Sequence, residues 1–175
     1  MAEGYIERRA GDPDAAERAL RGGLDLLERI GDRGFHGTVA LELAQLFYDL
    51  GRFDDALELC SRARATTESN DLINFAIAGA IEGSLLARDG RFDEGVARGR
   101  GAVELTAGTD GLEMLAVPRR YLAETLFLAG ETAEAERVAA EALAIRDRKG
   151  DVTGAALVRE LFQQLGLSAG SAAAQ

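Results

Sequence analysis

The chain has 175 residues, 47% of them hydrophobic and 29% charged, and 30 acidic side chains against 20 basic ones leave a net charge of −10. That length suits one compact unit or a short repeat array, and the composition is that of a folding chain rather than a disordered one. The negative field repels phosphate backbones and anionic lipid, so neither nucleic acid nor a membrane is an expected partner, while one cysteine and one histidine supply neither an internal disulfide nor a multi-ligand metal site.

Met1 to Tyr5 lacks the basic flank and apolar run of a signal peptide, and no stretch approaches ~18 apolar residues, so the expected location is cytoplasmic. Residues 4–10 read as about half of a helix, as in a fragment or an atypical cap. It ends at the turn Gly11-Asp12-Pro13. The helical pattern of residues 14–30 then carries Leu20, Leu24 and Leu27, which so short a first helix would leave uncovered; that points to a homodimer through this end. After Gly31-Asp32 comes a helix with His36 at its start, expected as a capping or half-exposed histidine, and with Leu43, Ala44 and Phe47 on one face. The turn Gly51-Arg52-Phe53-Asp54-Asp55-Ala56 leads into a helix whose small residues Ala56, Cys60 and Ala63 allow close approach of a neighbour. The acidic pair belongs to its first turn, where it offsets the helix dipole and accepts from free amides.

Asn70-Asp71 opens the next helix. Glu82 stands there at a position usually apolar, so it needs a cationic partner, for which Arg98 and Arg100 are the candidates. Gly90-Arg91-Phe92-Asp93-Glu94-Gly95 repeats the earlier turn. Gly95, Gly99 and Gly101 then fall inside a helix, where glycine signals either close approach of another helix or a point of bending. Thr109-Asp110 starts a helix ending at Gly130, and Ala135, Ala139 and Ala142 repeat the small-residue spacing in the one that follows. Gly150-Asp151 opens a capping helix over residues 152–165, and residues 168–175 read as a flexible tail.

The glycines at 11, 51, 90 and 130 are 40, 39 and 40 residues apart. The unit is thus helix, glycine turn, helix, polar loop, and a lone pair of helices cannot bury its apolar face without a neighbour stacked upon it. The expected fold is all-α, a right-handed α-solenoid of antiparallel helix pairs, forming a single array over residues 1–167. The glycine, the aromatic two residues on and the alanine three beyond resemble the tetratricopeptide repeat, with Leu43, Ala44, Phe47, Gly51, Phe53, Ala56, Cys60 and Ala63 as the matching positions of the second unit. Longer phrases, among them Tyr5 to Asp12, Leu86 to Phe92 and Leu122 to Gly130, are similar to the C-terminal tetratricopeptide region of bacterial signalling proteins that carry ATP-binding and adenylate/guanylate cyclase domains. The resemblance implies a regulatory docking or sensing arm; neither the cyclase nor the ATPase domain is in this sequence.

No phosphate-binding loop, nucleophile–base arrangement or metal-ligand cluster can be assembled from these residues, so no catalytic residue, metal or cofactor is expected. What remains is the inner surface of the superhelix, made by first-helix residues that point away from their partner helix. The register places Glu42, Gln45, Tyr48, Arg88, Arg120, Tyr121, Glu124 and Phe127 there, an aromatic and arginine-bearing groove suited to a protein or peptide segment. The expected function is a non-enzymatic interaction or regulatory module. The alternatives are a small-molecule-sensing arm and a self-associating scaffold.

Overall fold

The computed structural model describes residues 2–166. Among the described residues there are nine helices and no strand: α1 (Ala2–Ala10), α2 (Pro13–Ile30), α3 (His36–Asp49), α4 (Phe53–Thr66), α5 (Leu72–Arg88), α6 (Phe92–Thr106), α7 (Leu112–Leu128), α8 (Thr132–Lys149) and α9 (Val152–Gln164). Consecutive helices pack as pairs, α1 on α2, α3 on α4, α5 on α6 and α7 on α8. Each pair stacks on the next through α2 on α3, α4 on α5 and α6 on α7, and α9 covers α8. The fold is an all-α solenoid. The tail from residue 168 on lies outside the described residues.

One turn recurs at six glycines of the described residues, at 11, 31, 51, 90, 130 and 150. At Gly51, which is left-handed with φ 74°, the glycine amide donates to the Tyr48 carbonyl (3.0 Å) and the Arg52 amide to that of Phe47 (2.8 Å). Gly90 and Gly130 repeat both bonds, and Gly11 does so at slightly greater length. This closure satisfies the last carbonyls of the preceding helix and needs a backbone conformation that a Cβ disfavours, which is why the repeat is spelled by its glycines. Five of the helix starts are of two kinds. Asp12, Asp71 and Asp151 each accept from the amide three residues on. At α4 and α6 the acidic first turns do not accept amides as expected: Asp55 takes Arg52, and Glu94 takes Arg91, each at 2.8 Å. The side chain three residues into the helix points outward, where the arginine at the cap position reaches it.

Ala56, Cys60 and Ala63, and likewise Ala135, Ala139 and Ala142, are fully buried where the helices of a pair meet. α5 and α6 come closer still. A Cβ built on Gly83 would stand 2.8 Å from the Gly95 carbonyl oxygen and 3.0 Å from the Gly99 nitrogen, and one on Gly95 would stand 2.6 Å from the Gly83 carbonyl oxygen. Close approach therefore accounts for Gly95, and for Gly99, whose Cβ would meet Leu122 at 3.0 Å; Gly101 faces open space, and α6 runs through unbroken.

The expected bare stripe on α2 is covered. Leu20 and Leu24 are buried, and Leu27 packs against the core. α1 lies so close over Leu20 that a Cβ on Gly4 would meet its Cγ at 2.6 Å. Nine residues of α1 suffice because the contact is made through a glycine. The apolar side chains of α2 that are exposed are Leu26 and Ile30, and the surface argument for a homodimer through Leu20, Leu24 and Leu27 does not hold.

Candidate functional site

The first helices α3, α5 and α7 lie side by side, with α5 touching both of the others, and the residues assigned to the inner face are drawn together there. Tyr48 and Tyr121 meet edge to face, with centroids 4.9 Å apart. The Tyr48 hydroxyl is 2.5 Å from the Ser84 hydroxyl and accepts from Arg88 Nε at 2.9 Å, and Arg88 reaches on to the Glu124 carboxylate. The Arg88 guanidinium also lies 4.6 Å from the Phe53 ring centroid. A second chain of charges runs alongside: Arg120 donates to Asp49, which also accepts from Arg8 at 2.9 Å, and Arg8 reaches Glu42 at 3.3 Å. One carboxylate on α3 thus ties α1 to α7.

The consequence is a lined interior rather than an open trough. Gln45, Tyr48, Tyr121 and Glu124 are buried, with Tyr121 at 0% exposure; Glu42, Arg120 and Phe127 are half-buried, and Arg88 is exposed. Burial pushes both tyrosine hydroxyls far above their ordinary pKa, with the Glu124 charge adding to the effect at Tyr48. Burial alone would also raise the Asp49 carboxyl, but the guanidiniums of Arg120 and Arg8 outweigh it and hold Asp49 below the usual carboxylate range. These arginines matter to the site as much as the tyrosines do.

Arg8 was legible in the register, since it stands three residues before Gly11 as Tyr48 stands three before Gly51. Arg146 near the end of α8 had no such signal. It is buried, contacts Glu113 at 2.5 Å and donates to Asp151 at 2.6 Å. Glu113 is also paired with Lys149 at 2.7 Å; burial opposes the charge on Glu113, but Arg146 and Lys149 together keep its carboxyl below its ordinary value.

Three residues weighed for chemistry have structural surroundings. Glu82 is paired, chiefly with Arg64, which grips both carboxylate oxygens at 2.7 and 2.9 Å. Arg98 stands off at 3.5 Å, while Arg100 turns away to Glu131 and Glu134. Arg64 comes from the preceding pair, because α4 packs on α5 and brings its last turn beside Glu82. His36 is buried rather than half-exposed, lying 3.1 Å from the Thr66 hydroxyl and 3.3 Å from Glu28. Cys60 is buried without a thiolate-stabilising neighbour strong enough to matter, and burial pushes its thiol up to about 12, which leaves it inert. Among the described residues, no group of histidine, cysteine, aspartate or glutamate could hold a metal ion, and no helix is long and apolar enough to cross a membrane.

Two openings adjoin the network. One is a cavity of about 180 Å³ with Arg8, Gln45, Asp49, Arg120 and Arg146 in its lining. The other is a cleft of about 550 Å³ between α4, α5 and α6, bordered by Phe53, Leu57, Leu86 and Arg88. The tetratricopeptide-repeat family model matches residues 37–62 and 116–141, which fall within the pair α3 and α4 and the pair α7 and α8. No curated protein matches the chain.

Proposed function

Stacked helix pairs of the tetratricopeptide kind generally mediate contacts between proteins, and we propose that this chain is a non-enzymatic interaction module that holds a segment of a partner protein. The carrying observation is the convergence of α3, α5 and α7 on one lined face, with Arg88 shared between that face and the open cleft beside Phe53 and Leu57. The buried members, Gln45, Tyr48, Tyr121 and Glu124, pack the floor of that face. The accessible ones, Glu42, Arg88, Arg120 and Phe127, offer apolar area and oriented donors to the segment. A docking arm in a bacterial signalling protein, working in the cytoplasm, is the setting that the sequence resemblance favours.

Capture from a native lysate with quantitative mass spectrometry tests this. Wild type is compared with Arg88→Gln and Phe127→Ala, each checked for an unchanged melting temperature. Loss of the same partner from both variants supports the reading, and equal recovery of every partner overturns it. A small-molecule-sensing arm is the second reading, and the observation in its favour is the cavity at Arg8, Arg120 and Arg146.

A further inference from the structure

The cavity of about 180 Å³ lies where the two ends of the array come together, since its walls include α1, α3, α7, α8 and α9. Its volume is below that of pockets for drug-sized ligands, ~300–1,000 Å³, and far above the ~10–15 Å³ that admits one water. A metabolite fits.

Its polar lining carries hydrogen-bonding capacity that the protein leaves unused. Gln45 is 3% exposed and lines the cavity, yet its amide takes part in none of the hydrogen bonds of the described residues. Arg146, buried to a similar degree, bonds Asp151 through Nη1, and its Nε meets no acceptor among the described residues. Arg120 uses Nη2 on Asp49, and its Nε is likewise without an acceptor. Buried donors left unmet carry a desolvation cost that a ligand with acceptor oxygens would remove.

Among the described residues the charges balance. Asp49 answers Arg8 and Arg120, with Glu42 beside Arg8; Asp151 and Glu113 answer Arg146, with Lys149 beside Glu113. A net anion or cation would upset that balance, whereas a zwitterion would not. A carboxylate accepts about four hydrogen bonds, so Asp49 retains capacity for an ammonium after its two arginines. The rest of the wall is aliphatic, with Leu46, Leu50, Val117 and Leu157.

We propose that the cavity binds an aliphatic α-amino acid. Its carboxylate meets the Gln45 amide and the guanidiniums of Arg120 and Arg146, its ammonium faces Asp49, and its side chain lies against Val117 and Leu157. The cavity shares Arg120 with the partner-facing residues but not Arg88 or Phe127, so the partner test and the ligand test use different variants and either reading can fail without the other.

The test uses the full chain and calorimetric titration with L-leucine, L-isoleucine and L-valine, alongside isoamylamine, which lacks the carboxylate, and 4-methylpentanoate, which lacks the ammonium. Saturable binding of at least one amino acid is expected, with both truncated analogues weaker by about tenfold or more and with nuclear Overhauser contacts from ligand methyls to Leu46, Val117 or Leu157. Gln45→Leu and Leu157→Trp, the second filling the cavity without touching a charge, should each weaken binding by about tenfold or more. The proposal is overturned if no amino acid binds up to about 10 mM, if an analogue binds as well as the amino acids, or if the ligand contacts fall elsewhere. The analogue series and the contacts on the wild-type chain decide the matter even where a variant does not fold.

Discussion

At the scale of single residues, the packing of α4 on α5 shows how a charge is kept inside a small helical protein. Arg64 holds both oxygens of Glu82, whose side chain is 13% exposed. Arg64→Ala therefore leaves a nearly buried carboxylate with only the distant Arg98, and should lower unfolding free energy in urea by about 1–3 kcal/mol. Arg64→Ala combined with Glu82→Leu should recover most of that loss, because the charge that needed answering is gone. Tyr121 is the opposite case. Its buried hydroxyl meets no partner among the described residues, so Tyr121→Phe should be neutral or stabilising by up to about 1 kcal/mol in the same assay.

Asp49 makes the stability depend on acid. Its folded carboxyl is held below the ordinary range, so its contribution is complete above the unfolded value near ~4 and is lost as pH falls through the lower folded value. Asp49→Asn should cost up to about 3 kcal/mol at neutral pH and should flatten the loss of stability below about pH 4, which unfolding curves recorded across that range would show.

At the scale of elements, glycines separate into those that a neighbour requires and those that nothing requires. Gly83 and Gly95 face each other's backbone, which cannot move aside as a flexible side chain can. Gly83→Ala and Gly95→Ala should each destabilise by about 1–3 kcal/mol despite the better helix propensity of alanine. Gly22 in α2 and Gly101 in α6 face open space inside their helices. Alanine there should raise stability by up to about 1 kcal/mol, and thermal unfolding of the four variants should place the two pairs on opposite sides of wild type. The repeat was readable at this scale because each turn is a local matter. A left-handed glycine and its two backbone bonds need only the adjacent residues, and the same local demand recurs within the pairs and, at Gly31 and Gly150, between successive helices of different pairs.

At the scale of the whole molecule, the array is closed by contacts between distant turns of the chain. Arg8 on α1 and Arg120 on α7 share Asp49 on α3, so the inner face is stitched across the stack rather than along it. Arg8→Ala should release α1 without melting the pairs beyond it. Hydrogen exchange should then rise about tenfold or more in α1 and over Leu20, with little change in α5 to α8.

Composition, the spacing of glycines and the small-residue positions determined by themselves that this chain is helical, that its helices come in pairs and that the pairs stack, because hairpin closure and pair packing depend on residues close in the chain. The helical register also grouped Gln45, Tyr48, Tyr121 and Glu124, all of which are buried in the structure. Only the tertiary structure decided that the inner face is lined and largely buried, that Arg64 rather than Arg100 answers Glu82, that α1 covers Leu20, and that Arg146 joins Arg8 and Arg120 around one cavity. Those outcomes depend on how far the stack curls and on which long side chains then come within reach of each other. Curvature is a sum over every interface in the array, and no single segment of the chain carries it.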